Sequence, residues 1–194
     1  MRRPVVSCLL IAAALGCAAG PALPPPPPPV GTPSTSITSR ITRVPDANTA
    51  AILLASHNVV LAAARIAAGR AQHRDVKLFA RSLVTDHTTM SATLSQLLAS
   101  ADLTPRDDDV TRLLRDQSAA RRDTLRTLSG SAFDSAYVAG EVRYHQELLV
   151  AVDRVFIPSV RNARLREYLS SIRPTIAGHL ELAEQVQTTI TRRR

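Results

Sequence analysis

In four separate stretches of this sequence, apolar side chains recur at alternating steps of four and three residues. That spacing lines up along one face of an α-helix and cannot line up along a strand. The first stripe is Ala50, Leu54, His57, Leu61, Ala64 and Ala68. The second is Val76, Ala80, Leu83, His87, Met90, Leu94, Leu97 and Ala101. A third runs Val138, Val142, His145, Leu149, Val152 and Phe156. The last is Leu165, Leu169, Ile172, Ile176, His179, Ala183, Val186 and Ile190. Composition agrees with the period. The apolar content is mostly Ala, Leu and Val, the 194 residues include 7 glycines, 3 phenylalanines, 3 tyrosines and no tryptophan, and no stretch alternates apolar with polar. An all-α domain follows.

Local signals set the expected boundaries. Pro45 and Asp46 open a helix that reaches about Ala71, and a break at Gln72 and His73 leads into the second. Thr104 and Pro105, followed by Asp107 and Asp108, predict a helix start and a less regular helix over 105–128. Ser131 to Asp134 has the form of a capping box for the next helix. Residues 158–162 read as a turn, and Pro174 predicts a kink in the last helix. Short connections put successive helices antiparallel, so the expected architecture is an up-down four-helix bundle with 105–128 as an extra crossover helix.

The N-terminus bears on destination. Residues 1–17 read as a signal peptide, with Arg2 and Arg3 before the apolar run Val5 to Leu15, which is too short to span a bilayer. The run ends in Ala14, Leu15, Gly16 and Cys17, which resembles a bacterial lipobox and marks Cys17 for lipidation; ordinary cleavage near Ala18 to Gly20 is the alternative. Only Cys8 accompanies Cys17 in the whole chain, and Cys8 lies in the segment to be discarded, so the mature chain holds no disulfide. Residues 18–45 are rich in Pro, Ser and Thr and form an extended tether on the order of tens of ångströms long. The folded domain is expected over 46–191. The expected location is the periplasmic face of the envelope, as an outer-membrane lipoprotein held to the membrane by its anchor.

The formal net charge of +8 calls for a test of nucleic-acid binding. Arg2 and Arg3 leave with the signal, and Arg192, Arg193 and Arg194 form a tail. The remaining arginines lie beside Asp and Glu without interleaved aromatic residues. No nucleic-acid partner is expected, and an envelope polymer or a protein is the partner such a surface suits.

The one chemical clue is a histidine in the stripe of each long helix. His57 and His87 stand equidistant from position 72, and His145 and His179 stand equidistant from Asn162. In antiparallel hairpins, equal distance from the turn means equal height, so the four imidazoles share a layer. Imidazoles converging inside a bundle can hold a metal. Asp86 and Glu141 are the nearest supporting carboxylates, with Glu181 and Glu184 beyond His179, and Met90 offers a thioether. The alternative is a metal-free structural or interaction module with the histidines packed in the core. His73, at a turn, reads as surface. No phosphate loop, G-x-S-x-G elbow, paired-cysteine site or H-E-x-x-H motif is present, so no catalytic residue is assigned.

Several elements resemble a known family. Val76 to Ala80 with Asp86 and His87, Phe133, Asp134 and Tyr137 with His145, and Pro174 with His179 to Ala183 are together similar to domain-of-unknown-function family 4142. The resemblance covers about residues 46–190 and implies an exported protein with a ferritin-like helical fold. Two departures matter. Family members often carry glutamate in the first helix, where this chain has Val60, Leu61 and Ala62. The ferritin Glu-x-x-His pairs are also missing, since Val84 and Val142 stand three residues before His87 and His145. A di-iron carboxylate centre is therefore not expected; a mostly histidine site for one Zn, Cu or Fe ion is.

Overall fold

A computed structural model describes residues 44–192, which are all-helical, with no strand among the described residues. The elements are α1 (Asp46–Arg70), α2 (Arg74–Ser100), α3 (Asp109–Thr127), α4 (Gly130–Ala151), a π-helical turn (Val152–Phe156), the single turn α5 (Ile157–Ser159) and α6 (Ala163–Arg192). α1 packs along α2 and α4 along α6, as two hairpins. α2 lies against α6, and α3 covers α1. The signal peptide, Cys17 and nearly all of the tether lie outside the described residues.

The expected stripe of α1 is only part of its buried surface. Ile52, Leu53, Val59, Val60 and Ala63 are as buried as the stripe residues Ala50, His57, Leu61 and Ala64, because α2, α3 and α4 all touch the helix. A helix that is apolar all round belongs in a core. α1 is also the one described helix long and apolar enough to cross a membrane, but 72% of its most apolar window is buried inside the protein. In α4 the buried face is centred on Tyr137, Tyr144 and Leu148 with His145, while the expected Val142 and Leu149 are half-buried.

Three expected boundaries move, two of them because a distant group claims a backbone or capping group. α3 starts at Asp109 and not near Pro105: Arg106 N donates to Ala47 O at 2.9 Å and Asn48 Nδ2 donates to Arg106 O at 2.9 Å, which ties this stretch to the start of α1. Asp108 is the cap, its Oδ1 accepting from Thr111 N at 2.9 Å. Ser131, the expected cap, lies inside α4, which starts at Gly130. Ser129 precedes α4, and the Asp134 carboxylate accepts from Gln72 N at 3.1 Å and His73 N at 2.7 Å, capping α2 instead. The turn expected over 158–162 shortens to 160–162, since the helix widens through the π turn and continues to Ser159. α6 runs unbroken through Pro174.

A second carboxylate matches Asp134. Asp46 accepts from Arg161 N at 2.9 Å and Asn162 N at 2.7 Å, just ahead of α6. Each hairpin thus supplies, from its first helix, the acid that closes the start of the other hairpin's second helix.

Candidate metal centre

All four stripe histidines are buried: His57, His87, His145 and His179 expose 1%, 0%, 0% and 5% of their surface. His87, from α2, is the hub. Its ring centroid lies 5.2 Å from those of His57 and His179 and 5.7 Å from that of His145. One ring nitrogen each from His87, His145 and His179 lies within 4.8 Å of those of the other two. The four rings expected at one height do lie together, three of them clustered through ring nitrogens and His57 against His87.

The partners of each ring fix its chemistry. His145 Nδ1 is 2.9 Å from the carbonyl of Glu141, one turn earlier. A carbonyl only accepts, so Nδ1 carries the hydrogen and Nε2 a lone pair. His179 Nε2 donates to Asp86 Oδ2 at 2.9 Å, which leaves Nδ1 as the nitrogen open to another partner. His57 Nδ1 is 3.1 Å from His87 Nδ1, and His57 Nε2 is 2.8 Å from the Tyr168 hydroxyl, so both nitrogens of His57 are engaged. Three ring nitrogens remain buried without a hydrogen-bond partner: His87 Nε2, His145 Nε2 and His179 Nδ1. One belongs to each of the three clustered rings.

Burial keeps His57, His87 and His145 neutral. Burial pushes His57 down to about 4. Burial also lowers His145 to about 3, against the opposing bond to the Glu141 carbonyl. His87 is driven far below the ordinary range by burial and by the three other histidines. Neutral imidazole is the form that binds metal.

A second buried group flanks His145. Glu141 Oε2 lies 3.4 Å from His145 Nδ1, and Oε1 accepts from Arg121 Nη2 of α3 at 2.9 Å. Burial raises the Glu141 carboxyl, and the Arg121 guanidinium opposes that rise. Arg121 reaches Glu141 across Gly140, where an added Cβ would lie 2.8 Å from Arg121 Nη2. Glu141 is therefore committed to α3 and stands beside the cluster as a supporting group. Asp86 supports His179. Glu181 and Glu184 are exposed, and Met90 enters the network through its carbonyl, which accepts from Tyr168. His73 is half-buried and caps α2, its Nδ1 accepting from Asp75 N at 3.2 Å.

Sequence reasoning missed Tyr168 and Arg121. A signal existed for the first: in a chain with three tyrosines and no tryptophan, all three tyrosines are buried, and a buried hydroxyl demands a partner. Nothing local marks Arg121 among so many arginines.

The family described as Domain of unknown function (DUF4142) matches residues 31–186. The chain belongs to that family. No curated protein and no solved structure matches it. In this DUF4142 chain, then, the site itself must carry any functional statement.

Proposed function

We propose that this chain is an exported envelope lipoprotein whose ferritin-like bundle of α1, α2, α4 and α6, with α3 as the crossover helix, holds one transition-metal ion on His87 Nε2, His145 Nε2 and His179 Nδ1. The observation that carries this reading is the trio of buried, partnerless ring nitrogens. Leaving a buried acceptor unmet costs about 1–3 kcal/mol, and three such atoms stand here, one on each of three clustered rings. An ion at about 2.1 Å from each would satisfy all three at once. The tetrahedral spacing between such nitrogens is ~3.4 Å, so closure from the 4.8 Å limit asks each ring to move by less than about an ångström.

Three neutral nitrogen donors suit Zn, Cu or Fe. They leave a fourth position for water or another small ligand. A di-iron carboxylate centre fits poorly, because Glu141 is paired with Arg121 and Asp86 with His179. The lipid on Cys17 would fix the domain to the membrane, with the proline-rich segment as spacer and the arginine-rich outer faces turned to envelope polymers or a protein partner.

The test is metal analysis of untagged protein beside a His87→Ala/His179→Ala variant that keeps its helical circular dichroism. The wild type is expected to retain about one ion per chain and the variant none. Equal content in the two would remove the proposed ligands and leave the histidines as packing. In the same preparations, Cys17→Ser should move the protein from the membrane to the soluble fraction, and unchanged partitioning would refute the anchor.

A further inference from the structure

His57 is the histidine that the three-nitrogen cluster leaves out, and its two bonds form part of a longer chain. The Tyr168 hydroxyl lies 3.0 Å from the carbonyl of Met90 and 2.8 Å from His57 Nε2. His57 Nδ1 then lies 3.1 Å from His87 Nδ1. The hydroxyl has one hydrogen, each neutral ring has one, and the carbonyl has none. Two orderings of these hydrogens run in one direction along the whole chain; any mixed ordering sets two acceptors or two hydrogens against each other at one contact.

In the first, Tyr168 donates to Met90 O, His57 Nε2–H donates to the tyrosine oxygen, and His87 Nδ1–H donates to His57 Nδ1. All three contacts become hydrogen bonds, and His87 Nε2 carries a bare lone pair. In the second, Tyr168 donates to His57 Nε2 and His57 Nδ1–H donates to His87 Nδ1. The 3.0 Å contact between the tyrosine oxygen and Met90 O then sets two acceptors against each other. His87 Nε2 would also carry a hydrogen with no acceptor, since that atom makes no hydrogen bond. His87 Nε2 is unmet either way, as an acceptor in the first ordering and as a donor in the second, and the first makes one more bond. Among groups this buried, the difference is decisive.

We infer that Tyr168, acting through His57, is a positioning device that holds His87 in its Nδ1–H tautomer and presents Nε2 as a ready-made donor atom. Met90 O is the terminus that sets the direction. His145 and His179 have their tautomers set by acceptors bonded to them directly, whereas His87 depends on a group two bonds away on α6. His57 is therefore a supporting residue and not a fourth ligand. The role of the donor atom rests on the proposed metal reading; the tautomer does not.

Two measurements test the relay on the full chain. Nitrogen-15 NMR of the metal-free protein should show His87 protonated at Nδ1 and His57 at Nε2; His87 protonated at Nε2 would overturn the inference without any substitution. Titration with Co(II) and Zn(II) should then show Tyr168→Phe binding about 10–100-fold more weakly than wild type, with its helical content retained. Affinity equal to wild type would also overturn it, because the direction-setting hydrogen would be gone without consequence. Should Tyr168→Phe fold poorly, His57→Phe in the same titration removes the acceptor next to His87 and is held to the same loss. If the wild type binds no metal while His87 is protonated at Nδ1, the metal reading falls and the tautomer relay stands.

Discussion

At the scale of single residues, the histidine layer ties stability to acidity. The unfolded chain titrates its histidines near 6.5, while in the fold burial holds His57 at about 4 and His145 at about 3, with His87 lower still. Below 6.5 the unfolded state therefore binds protons that the folded state refuses, and stability falls as pH falls. Each such histidine contributes a slope of about 1.4 kcal/mol per pH unit until its folded value is reached. Glu141, whose carboxyl is raised by burial, works in the opposite sense, since the fold takes up its proton before the unfolded chain does. The histidines outnumber it. Metal-free protein should lose denaturation midpoint steadily between about pH 6.5 and pH 4, and a flat midpoint across that window would mean the rings are not buried neutral. Metal-loaded protein that stays folded should keep its ion through the same range, because His87 and His145 take up protons only below it.

At the scale of elements, α3 is the least self-sufficient. Only Thr111, Leu114 and Leu125 of its side chains are fully buried, so the Arg121 bonds to Glu141 Oε1 and, at 3.3 Å, to the Tyr137 carbonyl are a large part of its attachment to α4. That approach depends on the bare backbone of Gly140. Gly140→Ala should push the Arg121 guanidinium aside, weaken its bond to Glu141 and lower stability by about 1–3 kcal/mol. Hydrogen exchange would report it as loss of protection in α3 ahead of α2; unaltered protection of α3 would show that the guanidinium has another seat. Helix periods were legible in the sequence because they are local. The faces of α1 and the start of α3 were not, since both depend on what packs there from elsewhere: α3 covers the far side of α1, and the amide of Arg106 goes to Ala47. The histidine heights were legible for a physical reason too, as helical rise is constant and hairpin turns fix the register. Which way each ring turns was not, because it is set by Tyr168, Asp86 and the Glu141 carbonyl.

At the scale of the whole molecule, the crossed caps of Asp46 and Asp134 say what the folding unit is. Each carboxylate reaches the same two backbone positions, just ahead of the second helix of the opposite hairpin, and the same interval separates Asp46 from His57 and Asp134 from His145. This reciprocity is what an isologous two-fold dimer shows, where one copy's residue i meets its partner's j and the reverse. The domain has the organisation of a dimer of helical hairpins made into one chain, with α3 and its flanking turns as the connector. Neither half should then stand alone. Residues 44–103 and 104–192, produced separately, should each lack native helicity and recover it on mixing; a single half that folds unaided would contradict the fused-dimer view. Each hairpin then needs the other both to close its second helix and to complete the histidine cluster, which draws His87 from one half and His145 and His179 from the other.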